Sequence, residues 1–152
     1  VIRSPNTYFQ KGLTFSRTGA YSPTFRMSSN SVFDSEGSII FDSLELNILQ
    51  KNAVYSSLFL KYLVKNNIGH TVHTQVDELK ELLIVNKDSP EIVSLVERLI
   101  ENQKQNPRYN YVDNEQKEID KLVYQMYGLN DDDISEVETW YARRYPNLIR
   151  QN

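Results

Sequence analysis

The sequence predicts an α+β fold: a small N-terminal β-sheet followed by a helical C-terminal part, with about five helices in all. Three observations carry that prediction. Up to residue 41, short apolar and polar residues alternate at period two between turn-forming residues. From about Leu44, apolar residues recur at the i, i+3, i+4 spacing of a helix face. Beyond residue 86, helix start and stop signals punctuate three further apolar stripes.

Each element follows from its own residues. Thr14-Phe15-Ser16-Arg17 and Pro23-Thr24-Phe25-Arg26-Met27 predict two strands, with turn chemistry in Thr18-Gly19-Ala20 and Ser28-Ser29-Asn30. Ser31-Val32-Phe33-Asp34 and Ser38-Ile39-Ile40-Phe41 predict two more, joined at Glu36-Gly37. Alternation puts Phe15 on one face with Ser16 and Arg17 around it, so one face is buried and the other wet. Leu44, Ile48, Leu49, Leu58, Phe59, Tyr62 and Leu63 then predict one broken helix or two, ended by Asn66-Asn67-Ile68-Gly69. His70 to Asp77 is polar and β-branched and reads as a loop or short strand. Glu78-Leu79-Lys80-Glu81 reads as a helical turn, leading into an apolar strand, Leu82-Leu83-Ile84-Val85.

Ser89 is an N-cap with Pro90 at the first helical position, and Ile92, Val93, Leu95, Val96, Leu99 and Ile100 form one stripe up to Asn106-Pro107. A second helix from about Asn114 turns Ile119, Leu122, Val123 and Met126 inward and stops before Gly128. Asn130 caps a third, whose Asp131, Asp132 and Asp133 complement the positive end of its dipole. Its Ile134, Val137, Trp140 and Tyr141 face inward until Pro146. We divide the chain into residues 1–85, β-rich with one or two helices, and residues 86–152, a three-helix scaffold.

Composition excludes several classes of function. The chain has 152 residues, a net charge of −3 and no cysteine. Disulfides, thiolate metal sites and cysteine nucleophiles are therefore absent. The longest apolar stretch, residues 54–64, is interrupted by Ser56, Ser57 and Lys61, too short and too polar to span a membrane. No early apolar run resembles a secretion signal, and we expect a cytoplasmic protein. Because the chain opens on Val1, we expect it to be a piece of a longer protein.

The distribution of charge is more telling than its total. Residues 1–75 carry seven basic and four acidic side chains, and residues 76–152 carry ten basic and sixteen acidic. No acid precedes Asp34, whereas Arg3, Lys11, Arg17 and Arg26 do, interleaved with Tyr8, Phe9, Phe15, Tyr21 and Phe25 and many hydroxyl and amide groups. Cations and hydrogen-bonding groups free of carboxylates suit a phosphate backbone and base edges. The bland alternative is a solvated surface that happens to lack acids.

No catalytic or metal site is predicted. The five glycines never form GxG, which removes a nucleotide-binding or S-adenosylmethionine-binding glycine loop. His70 and His73 have the spacing of one helix face but lie in a β-branched stretch without a third ligand. Glu78-Leu79-Lys80 and Glu115-Gln116-Lys117 match half of a metal-dependent nuclease signature, but in helical context. Asn106-Pro107-Arg108-Tyr109 reads as an interhelical loop, Asp131 to Asp133 as helix capping, and Trp140, Tyr141 and Tyr145 with Arg143 and Arg144 as helix packing.

Four stretches resemble a known family. Glu118-Ile119-Asp120-Lys121-Leu122-Val123-Tyr124-Gln125-Met126-Tyr127-Gly128-Leu129-Asn130 is similar to the C-terminal "EIDxLVYxLYGLT" segment of type IIG restriction–modification DNA-adenine methyltransferases, and Ile134-Ser135-Glu136-Val137-Glu138 fits its continuation. Lys11-Gly12-Leu13-Thr14-Phe15-Ser16 resembles the "GxTxS" entry to their target-recognition region. Phe33-Asp34 with Gly37-Ser38-Ile39-Ile40-Phe41 resembles its "FDxGGSSIF" stretch, one glycine short. Residues 73–85 resemble the polar segment and "DLKxLPI" strand, with Leu83 in place of the usual proline.

The resemblance implies a target-recognition domain for double-stranded DNA, its catalytic methyltransferase domain, with S-adenosylmethionine, lying elsewhere in the polypeptide and in some members fused to a nuclease. No cofactor is expected in this chain. The candidate DNA-binding residues are Lys11, Ser16, Arg17, Thr18, Tyr21 and Arg26, with Arg17 and Arg26 for guanine edges or phosphates and Lys11 for phosphates. The competing expectation, supported by net negative charge and ten tyrosines, is a non-catalytic protein-interaction or assembly module without DNA contact.

Overall fold

The computed structural model describes residues 6, 8–19, 22–28, 30–32, 37–41, 46–68 and 74–149. Strand β1 (Gly12–Ser16) lies between β2 (Phe25–Ser28) and β3 (Gly37–Phe41), antiparallel to both. Three of the four expected strands are thus present. Ser31 and Val32, expected to open the fourth, are not in a strand, and residues 33 and 34 lie outside the described residues. Register sets the two faces. Leu13, Phe15 and Phe25 are buried on the inner one, while Thr14 pairs with Arg26 and Ile39 on the outer one. Gly12 is required where it stands, because a Cβ there would lie 2.5 Å from the Ile40 carbonyl oxygen.

Seven α-helices follow among the described residues: α1 (Ile48–Ser56), α2 (Leu58–Leu63), α3 (Val76–Lys80), α4 (Pro90–Gln105), α5 (Glu115–Tyr127), α6 (Asp131–Arg144) and α7 (Pro146–Ile149). The broken helix breaks at Ser57, which is fully buried. Its hydroxyl donates to the Val54 carbonyl at 2.7 Å, closing α1, and accepts from the Leu60 N–H at 3.3 Å, opening α2. A π-helical turn, Val64–Ile68, extends α2; the expected Gly69 cap lies outside the described residues. The predicted caps of the last helices are present. Ser89 accepts from the Ile92 N–H, Asn130 and Asp133 form a reciprocal capping box, and Gly128 adopts the left-handed conformation at φ 69°.

The expected strand at residues 82–85 does not form. The segment has no regular secondary structure and pairs with no strand among the described residues, and the Tyr127 hydroxyl takes up two of its backbone groups instead. It donates to the Leu83 carbonyl at 2.9 Å and accepts from the Val85 N–H at 3.4 Å. Leu83 is left 86% exposed.

One apolar core joins the sheet to the helices. Phe15 and Phe25 meet at 5.3 Å, Phe25 stacks on Tyr55, and the cluster continues through Val54, Leu60, Ile92, Val96, Ile119 and Val123. Buried Gln50 links α1 to the start of α4, donating to the Lys87 carbonyl and accepting from the Ser89 N–H. Helix α6 joins through aromatic edges, Trp140 meeting Tyr62 and Tyr145. No described helix is long and apolar enough to cross a membrane.

Candidate nucleic-acid interface

The outer face of the sheet begins from alternation. With Leu13 and Phe15 committed to the core, Thr14 and Ser16 must point the other way, and cross-strand pairing brings Arg26 and Ser28 to the same side. Arg26 is exposed, and its guanidinium donates to the Ser16 hydroxyl at 3.3 Å. That bond steadies a long side chain across the strand pair without neutralising it. Lys11, at the entrance to β1, is also exposed. Neither Lys11 nor Arg26 forms an ion pair among the described residues.

Arg17 behaves differently. Its guanidinium donates to the side-chain carbonyl of Gln75, the N-cap of α3, and its own backbone carbonyl accepts from the Thr74 N–H at 2.7 Å. The residue thus ties the end of β1 to the 74–75 segment, and its head group is directed to Gln75 rather than to the Arg26 side of the sheet. Thr18 is exposed beyond it, and Tyr21 lies outside the described residues. The structure therefore brings Ser16 and Arg26 together, places Lys11 at the other end of β1, and sends Arg17 elsewhere. At about 3.3 Å per residue, Lys11 and Arg17 stand roughly 20 Å apart along the strand.

The sequence did not single out Phe9, which is 62% exposed at the Lys11 end of the sheet with a left-handed backbone at φ 64°. The only sequence signal was its place among aromatic residues in the acid-free stretch. The burial of Asp120 on α5 was also unforeseen. Its Oδ1 accepts from the Leu58 N–H at 2.8 Å, capping α2, and from Gln116 at 3.3 Å. Burial pushes this carboxyl up to about 6, against the opposing pull of the Leu58 hydrogen bond and the Lys61 charge.

The half-signatures are occupied by structure. Glu115 is buried and accepts from Arg98, Asn102 and Tyr109, a clamp between α4 and α5. Glu78 accepts from the Gln75 N–H as part of a capping box. His70 and His73 lie outside the described residues. Among the described residues, no group of three His, Cys, Asp or Glu side chains could hold a metal ion. No family model, curated protein or solved structure matches the chain.

Proposed function

We propose that this chain is the target-recognition part of a bacterial restriction–modification DNA-adenine methyltransferase, reading double-stranded DNA in the cytoplasm through the outer face of its sheet. The methyltransferase domain of the same polypeptide would be its covalent partner and would hold the S-adenosylmethionine. One observation supports this reading above the others: Arg26, Ser16, Thr14 and Ser28 share a strand-pair face to which no carboxylate is contributed by the described residues of the three strands, in a chain whose acids are concentrated beyond residue 76. A two-stranded ribbon fits the major groove, where an arginine can bond a guanine edge in bidentate fashion. The family resemblance of residues 118–130 supplies the enzyme context. A second reading, an assembly module without DNA contact, is favoured by the Arg17–Gln75 bond, which gives one front cation a structural task.

The test is binding of the purified chain to a mixed-sequence duplex at two salt concentrations. The expected dissociation constant is about 10⁻⁴ to 10⁻⁶ M, weakening steeply with salt. Arg26→Ala should lose about 1–3 kcal/mol of affinity if it reads a base. Arg17→Ala should instead lower thermal stability and leave the salt slope nearly unchanged. Absence of binding at low salt would overturn the proposal in favour of the assembly module.

A further inference from the structure

We infer that Phe9 is a wedge that inserts at a base-pair step of duplex DNA, an inference that rests on the DNA-reading function proposed above. Its backbone is the first indication. A bulky L-residue is strained in the left-handed region, yet Phe9 sits there at φ 64°. Such strain persists only where neighbours hold it. Here the Phe9 N–H donates to the Ser31 carbonyl at 2.9 Å, and Ser31 is itself fixed by a hydroxyl contact with Ser28, also at 2.9 Å. Ser28 is paired with Gly12 at the entrance to β1, so the strained turn is anchored to the sheet.

The side chain is the second indication. The ring is 62% exposed and touches Tyr8 edge-on at 6.4 Å between centroids, contributing little to the core. Val32, 59% exposed, lies next to the Ser31 that holds Phe9. Exposed Lys11 follows two residues later, and no carboxylate occurs among residues 1–33. An apolar prong on an anchored turn, beside a cation suited to the flanking phosphate, is the arrangement with which proteins unstack and kink a duplex. Pyrimidine–purine steps yield most readily, so the favoured occupant is a TA or CA step.

The experiment uses the whole chain and a short mixed-sequence duplex in which a fluorescent adenine analogue, brightening when unstacked, replaces the adenine of a central TA step. Wild-type binding should raise the fluorescence. Phe9→Ala should abolish the rise and weaken binding about tenfold, while its melting temperature stays at or above that of the wild type. Phe9→Leu, which keeps an apolar prong, should retain most of the rise. If Phe9→Ala binds as tightly as wild type with the same fluorescence, the wedge is overturned while the DNA-reading function stands. If the wild type binds no duplex even at low salt, both are overturned.

Discussion

The Asp120 carboxylate caps a helix to which it does not belong. From α5 it accepts the Leu58 N–H that opens α2, with Lys61 on α2 and Glu138 on α6 bearing on it electrostatically. Burial raises its pKa from the ordinary 3.8 to about 6, so the folded state holds the proton more tightly than the unfolded chain. Its contribution to stability is therefore greatest below the unfolded value and is lost as pH rises through the folded one, by about 3 kcal/mol. Asp120→Asn keeps a carbonyl acceptor for Leu58 and removes the charge. Denaturant unfolding between about pH 4 and pH 7 should show the variant more stable than wild type at neutral pH, and the advantage should shrink towards pH 4. An unchanged difference across that range would refute this account. Glu115 titrates in the opposite sense: burial tends to raise its pKa, but its backbone, Tyr109 and Arg98 hydrogen bonds hold it below the ordinary value. Neither buried acid was legible in the sequence, because a carboxylate within an amphipathic helix reads as surface. Asp120 does lie between Val123 and Tyr124 around the buried side of α5, but its decisive partner, the Leu58 N–H, is 62 residues away.

Elements with local causes were the legible ones. Ser89-Pro90, Asn130 with Asp133, and Gly128 carry their structural instructions within one helical turn. Strand β1 was also legible as a strand, but the reason for Gly12 was not, since it depends on how closely β3 approaches. Gly12→Ala should force β3 away from β1 and cost about 1–3 kcal/mol, measured as a lower denaturation midpoint. A midpoint equal to wild type would mean the strands separate without cost. The failed expectation at residues 82–85 has the complementary cause. An apolar run reports burial but not the partner, and here a tyrosine hydroxyl takes the place of a neighbouring strand. The candidate site was legible in part: alternation predicted a wet face with Ser16, while the diversion of Arg17 depended on Gln75, 58 positions away.

Across the whole molecule, the division at residue 85 meets a core that crosses it. Phe15 and Phe25 from the sheet belong to the same apolar cluster as Ile92, Ile119 and Val123. Loss of a large sheet side chain should then be felt at the far helices. Phe15→Ala, at a position 1% exposed, should cost about 3–5 kcal/mol. It should lower the unfolding midpoint equally whether followed by far-ultraviolet dichroism or by fluorescence of Trp140 on α6. Two separated transitions would establish two independently folding parts instead.

The Tyr127 hydroxyl has a consequence for colloidal behaviour. Leu82, Leu83, Ile84 and Val85 form an uncharged, β-prone tetrapeptide of the kind that nucleates cross-β stacking when its peptide groups are unpaired. By engaging the Leu83 carbonyl and the Val85 N–H, one phenol at the end of α5 occupies two of the groups through which a second chain would add. Fraying of the last turn of α5 and exposure of the sticky edge are consequently one event. The helix end thereby acts as a guard against self-association.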